Sequence, residues 1–187
     1  MPNAAFAASL GRGSPFHLLG LMNTVIAPIA AEHIASFRAA LDLVAREQRY
    51  LAMIEAPPLE QVASFVGENI KKGIAQFVAL SGSEVVGWVD IVPAWAHGVA
   101  HRGSVGMGVL PQFRGQGIGR RLLQASIAKA WENGLTRIEL EVRVDNANAM
   151  RLYEGLGFKR EGLRRHGIRM EGQYHDTLAM ALLRHEA

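Results

Sequence analysis

The stretch Arg114-Gly115-Gln116-Gly117-Ile118-Gly119-Arg120 decides how this chain of 187 residues is read. It lies between a segment of strand character, 103–110, and one of helical character that begins near Ile118. Such a turn aims several backbone N–H groups at one point, and the helix that follows adds the positive end of its dipole. Glycines remove the side chains that would keep an anion away. The arrangement suits a phosphate or pyrophosphate, with Arg120 and Arg121 able to add charge-assisted contacts. A P-loop needs Gly-Lys-Ser/Thr, which is absent. A dinucleotide fingerprint needs Gly-x-Gly-x-x-Gly, and counted from Gly115 its last position is Arg120. Glu139 stands at the distance of a ribose-binding acid, but inside a strand pattern rather than at its end. There remain the pattern Arg-x-x-Gly-x-Gly, met by Arg114, Gly117 and Gly119, and an ordinary glycine-rich turn.

The periodicity on either side supplies the frame. Downstream, Leu122, Leu123, Ile127, Ala130 and Trp131 mark a helix closed by Gly134. Residues 136–144 alternate, with Ile138, Leu140, Val142 and Val144 on one face and Arg137, Glu139, Glu141 and Arg143 on the other, as a half-buried strand does. A helix over 147–155 and two strands, about 158–170 and 174–184, complete the chain, the strands joined by Glu171-Gly172-Gln173. Upstream, 23–28 reads as a short strand, 30–47 and 59–73 as amphipathic helices, and 74–80 with 85–92 as a hairpin. The order β α α β β β α β α β β mixes hairpins with strand–helix–strand units. It predicts an α/β domain with a mixed sheet of about seven strands and four helices.

Composition narrows the chemistry. Hydrophobic residues make up 49% and charged residues 20%, which is globular rather than disordered. There is no cysteine, which excludes disulfides, thiolate metal sites and a thiol acyl-enzyme. A net charge of +3 is too small to imply nucleic acid. His97 and His101 are four apart but span Gly98 in a turn, with no third ligand nearby, so no metal site is expected. No charged residue occurs from Gly13 to Ala31, but Pro15, His17, Gly20, Asn23 and Pro28 interrupt that run and no basic start precedes it beyond Arg12. The expectation is a flexible leader over 1–21 and one domain over 22–187, with neither membrane span nor signal.

The glycine turn, with Val109-Leu110-Pro111-Gln112 before it, resembles the acyl-CoA pyrophosphate loop of the GNAT N-acetyltransferase superfamily. A second stretch agrees: Leu140-Glu141-Val142-Arg143, then Asn146-Ala147-Asn148-Ala149, then Leu152-Tyr153-Glu154-Gly155-Leu156-Gly157-Phe158. The two cover about 50 residues, and the element order fits the family over about 20–185. The resemblance implies acetyl-CoA as cosubstrate, bound where strands 103–110 and 136–144 splay apart. Met107, Gly108 and Val109 would pair with the pantetheine, and Gly106 and Gly108 would permit its approach. Arg114, Gly115, Gln116, Gly117, Ile118, Gly119 and Arg120 would hold the diphosphate, and Asn146 would cap its helix and contact the cofactor.

By the same resemblance Tyr153 would give a proton to the departing thiolate. Glu141 matches a position where some relatives carry a catalytic glutamate that takes the proton of the amine, with Glu139 in reserve. His101 could line the substrate mouth. Tyr174-His175-Asp176 resembles a Tyr-x-Asp of relatives that acetylate amino acids, polyamines or ribosomal protein N-termini. Arg164-Arg165-His166 lacks the aromatic interleaving of a nucleic-acid patch. The implied activity is direct acetyl transfer to a primary amine of a small molecule or a peptide N-terminus, in a cytoplasmic protein that could be a homodimer. A non-catalytic acyl-CoA sensor is the alternative, and a nucleotide-binding oxidoreductase is disfavoured by the failed fingerprint.

Overall fold

The computed structural model describes residues 24–186. The expected leader over 1–21 therefore lies outside the described residues. Seven strands form one sheet: β1 (Val25–Pro28), β2 (Ala75–Ser81), β3 (Glu84–Pro93), β4 (Arg102–Val109), β5 (Arg137–Arg143), β6 (Lys159–Met170) and β7 (Gln173–Leu183), in the order β1-β2-β3-β4-β5-β7-β6. Four α-helices pack on it: α1 (Ile34–Ala45), α2 (Leu59–Lys72), α3 (Ile118–Glu132) and α4 (Ala147–Glu154). The β4–β5 pair is parallel and every other pair antiparallel, so the sheet is mixed, as the element order predicts. The helix expected over 30–47 begins instead with a 3-10 turn, Ala31–His33, where the His33 imidazole accepts the Ala30 N–H at 3.0 Å. No helix among the described residues is long and apolar enough to cross a membrane.

The two faces of the sheet are covered by different helices. On one, Gly87 lies against Leu122 of α3, and the Ser126 hydroxyl donates to the Ala75 carbonyl at 2.7 Å. On the other, Trp88 meets Phe37 of α1 edge to face at 5.8 Å, and Asn69 of α2 donates to Gln76 at 2.9 Å. Helix α1 buries Phe37, Ala40, Leu41, Val44 and Ala45, each large apolar side chain adding roughly 1.5–3 kcal/mol. Register decides which strand residues share the α1/α2 face. Trp88 and Asp90 stand opposite Gly108 and Gly106, and Ser104 stands beside Glu139. Glu139 and Glu141 therefore look out on the same side as Trp88 and Asp90. The alternate residues Ile138, Leu140 and Val142 are buried, as the alternation of 136–144 predicts.

Candidate active site

Strands β4 and β5 pair only from Arg102 with Arg137 to Ser104 with Glu139, and then part. Strand β4 stays on β3 as far as Val109, and β5 stays on β7 throughout. From Val105 onward one edge of β4 therefore has no strand partner, and its backbone polar groups are free to pair with something else. A groove of about 630 Å³ opens along this edge, lined by Met107, Gly108 and Val109. Gly108 and Gly106 are needed for a reason internal to the sheet. A Cβ on Gly108 would stand 2.2 Å from the Trp88 ring, and one on Gly106 would stand 2.9 Å from an oxygen of Asp90. The space over both glycines belongs to β3 side chains, so any ligand approaches β4 along its edge.

The glycine turn closes the far end of the groove through Arg114, Gly115, Gly117, Ile118, Gly119 and Arg120. Gly115 (φ 75°) and Gly117 (φ 77°) are left-handed, a conformation that costs other residues roughly 1–2 kcal/mol. The backbone bond that opens α3 runs from the Arg121 N–H to the Gly117 carbonyl at 3.1 Å. The amides of Ile118, Gly119 and Arg120 thus precede the helical ladder and have no helical acceptor. The Arg114 side chain braces the loop. Its guanidinium takes both oxygens of Glu47, at 2.9 and 2.5 Å, and its Nε donates to the Val109 carbonyl at 2.8 Å. Gln116 turns away to the Gln112 carbonyl at 3.0 Å and does not line the groove. Arg120 donates to the Gly155 carbonyl and Arg121 to the Thr24 carbonyl.

A second cavity, about 790 Å³, lies between the parted strands, with Glu139, Glu141, Thr177 and Gly106 in its walls. The cleft and the groove share Tyr50, Leu51, Met107, Asn146 and Tyr153. Asn146 caps α4 by accepting the Ala149 N–H at 3.2 Å. Tyr153 is buried against Phe158, with ring centroids 5.8 Å apart, and burial pushes its hydroxyl up to about 12. It therefore carries its proton at neutral pH. Tyr50 and Leu51 sit on the α1–α2 connection, which the buried Arg143 holds by donating to the Arg49 carbonyl at 2.7 Å.

The carboxylates of the cleft differ in their engagements. Glu141 accepts from Arg164 through Oε1 and from the Thr177 hydroxyl through Oε2 at 3.0 Å. Glu139 pairs with Arg137 at 3.1 Å and Arg102 at 3.6 Å. Arg137 also grips Glu161, whose carboxyl it holds below the usual range. Asp90 is half-buried, has no hydrogen bond or ion pair among the described residues, and is pushed up by burial to about 7. An unfolded aspartate titrates near 4, so the fold favours the protonated form. That stability is complete below about pH 4 and is lost as pH rises through about 7. Asp90→Asn removes the loss. Between about pH 5.5 and pH 8.5, urea titration should show its margin over the wild type widening by about 1–2 kcal/mol, discounted for partial exposure.

Several expected residues stand elsewhere. His101 is exposed and lines neither cavity, and no group of three or more His, Asp or Glu among the described residues could hold a metal. Tyr174 stacks on His166 at 4.6 Å, and Asp176 accepts the His166 N–H at 2.8 Å, both outside the cleft. Arg164 enters the cleft through Glu141 instead. Sequence reasoning did not single out Tyr50, Leu51, Thr177 or Asp90. For Asp90 the signal was a lone acid in the apolar run Val85-Val86-Gly87-Trp88-Val89-Asp90-Ile91-Val92.

Comparison with known proteins adds sequence kinship. The profile of the Acetyltransferase (GNAT) family matches residues 39–158. The chain is 47% identical over 66 residues to the N-alpha-acetyltransferase RimI of Mycobacterium tuberculosis, covering 35% of this chain and 40% of that protein. It is 39% identical over 72 residues to the ribosomal protein bS18 alanine N-acetyltransferase of Escherichia coli K12, covering 38% and 49%. The chain thus spans about half the length of the curated relatives it matches. Among solved structures, the phosphinothricin acetyltransferase of Sinorhizobium meliloti, in complex with acetyl-CoA, superposes with a TM-score of 0.78 at 18% identity, over 86% of this chain and 88% of that one.

Proposed function

Because the chain belongs to the GNAT acetyltransferase family, we propose that it moves an acetyl group from acetyl-CoA to a primary amine, by direct attack with both substrates bound. One observation carries the reading: the groove and the cleft meet at Met107, Asn146 and Tyr153. A cosubstrate along the groove and an acceptor in the cleft would bring their reacting ends together there. Bound acetyl-CoA supplies a thioester carbonyl activated for attack.

The residues present fit that group. The open edge of β4 from Val105 to Val109 offers amides and carbonyls to an extended pantetheine, as an added strand would. The amides of the turn and of the first turn of α3 suit a diphosphate. Tyr153, protonated at neutral pH, gives its proton to the leaving sulfur. Glu141, fixed by Arg164 and Thr177, presents a carboxylate to the amine from the β5 wall. Glu141→Gln should lower kcat/KM for the best amine by about tenfold or more while acetyl-CoA affinity holds, as steady-state rates and calorimetry would show.

The acceptor class is a small-molecule amine or a peptide N-terminus, and two relatives whose names specify amino-terminal acetylation favour the peptide. The test is release of free CoA from acetyl-CoA against a panel of amino acids, polyamines, aminoglycosides and peptides. Acetylation of at least one is expected. Tight binding of acetyl-CoA with no acceptor acetylated would replace the transferase by a sensor.

A further inference from the structure

Resting on the transferase reading, we propose that Asp90, whose carboxyl sits over Gly106 on the β4 wall of the cleft, is the base that takes the proton of the acceptor's ammonium. A primary amine reaches a neutral solution mostly protonated and must lose a proton before its nitrogen can attack. Glu141 is poorly suited to that task, since a guanidinium and a hydroxyl already occupy its two oxygens. Asp90 has neither engagement.

Register places Asp90 in the right row. It stands opposite Gly106 in the β3–β4 pair, and Ser104 stands opposite Glu139 in the β4–β5 pair. Two residues on, Gly106 and Glu141 would face each other had the strands not parted. Asp90, Gly106 and Glu141 thus form a line across the sheet that is broken by the cleft. Gly106 lines that cleft, and the Asp90 carboxyl occupies the space its missing side chain leaves, 2.9 Å from the ideal Cβ position. The glycine lets a β3 carboxylate reach toward a cavity bounded by β4 and β5.

A second observation supports a built site. Gln76 stands directly opposite Asp90 on β2, is 2% exposed, and takes the Asn69 amide at 2.9 Å through its oxygen. Its Nε2 is buried without an acceptor among the described residues. Such an orphan donor is costly in a core unless something uses it. A carboxylate that becomes anionic beside it would supply the acceptor. Asn69, Gln76 and Asp90 make a polar row running from under α2 to Gly106, which lines the cleft.

The charges around Asp90 leave its affinity for protons to burial. From β2 and β4 it faces the neutral Gln76 and Gly106, and from α2 the neutral Asn69. On α1, Arg38 is engaged with the Pro57 carbonyl, and Asp42 with Arg46 and the Ala56 N–H. Across the cleft, Glu139 and Glu141 are paired with Arg102, Arg137 and Arg164. Desolvation is what lifts the carboxyl to about 7, the range in which a base works best near neutral pH. In the step itself an N–H bond of the ammonium breaks and an O–H bond forms on Asp90. The nitrogen keeps the electron pair, and the proton later leaves to solvent through the cleft.

Two pH series on the full chain test this. The first needs no turnover. Aspartate carboxyl carbons are labelled with carbon-13 and titrated by NMR, with Asp90 assigned by its loss in Asp90→Asn. A bend near pH 7 is expected, and one near pH 4 overturns the proposal. The second follows kcat/KM with acetyl-CoA and a peptide bearing an N-terminal alanine. The wild type should fall off below about pH 7. Asp90→Asn, which is expected to fold more stably, should lose about tenfold or more at neutral pH together with that acidic limb. Glu141→Gln should be slower but keep the bend. A bend retained in Asp90→Asn, or abolished in Glu141→Gln, overturns the assignment. A wild type that acetylates neither this peptide nor the wider panel overturns the transferase reading and the base with it. A carboxyl bending near pH 7 in that inactive chain would then place the error in the function and not in the environment of Asp90.

Discussion

Tyr153→Phe is expected to lower turnover by about 10²–10⁴-fold while acetyl-CoA affinity stays nearly unchanged. The substitution removes one oxygen and keeps the ring, so the packing on Phe158 at 5.8 Å survives. What disappears is a proton donor at the junction of groove and cleft. Burial holds the hydroxyl up at about 12, so the group carries its proton at neutral pH and gives it up only as negative charge develops on a sulfur being expelled beside it. A factor of 10²–10⁴ corresponds to about 3–5 kcal/mol of barrier. Stopped-flow or steady-state rates with calorimetry on the same samples make the measurement. Unchanged turnover would assign the sulfur's proton to water.

Gly117→Glu should weaken acetyl-CoA binding by about tenfold to a hundredfold, or 1–3 kcal/mol. Two effects act at this position and a control separates them. Gly117 is left-handed at φ 77°, so any other residue is strained there, but a Cβ would meet nothing within 4 Å. Gly117→Ala therefore carries the strain alone. Glutamate adds a negative charge beside the open amides of Ile118, Gly119 and Arg120, where a diphosphate would sit. The same charge favours a helix N-terminus, so the variant should fold. Calorimetry should place the alanine variant within a few-fold of the wild type and the glutamate variant well below both. Equal affinities for all three would remove the diphosphate from this loop.

The sequence displayed the frame and the glycine turn well, because both rest on local signals. Alternation over 136–144 placed Glu139 and Glu141 together on one face, and the glycines of 114–120 marked the left-handed turn before α3. The cleft was harder to read because long-range register builds it. Asp90 matters through Gly106 and Gln76, which the antiparallel pairings of β3 with β4 and with β2 bring beside it from 16 and 14 residues away. Tyr50 and Leu51 sit on a loop with no periodicity and owe their position to Arg143, a charged residue that alternation marks as exposed but that is buried by its bond to Arg49. Arg114 was read as a ligand for phosphate because its spacing fits the motif. Its partner Glu47 lies at the end of another helix, and no local pattern reveals that pairing.

The most direct measurement is a crystal structure of the chain with acetyl-CoA bound. The pantetheine is expected along the open edge of β4 at Met107 to Val109, the diphosphate on the amides between Gly115 and Arg120, and the sulfur within hydrogen-bond reach of the Tyr153 hydroxyl. The acetyl group should point into the cleft between Gly106 and Glu141. Acetyl-CoA bound away from the β4–β5 divergence, or with its sulfur turned from Tyr153, would contradict it.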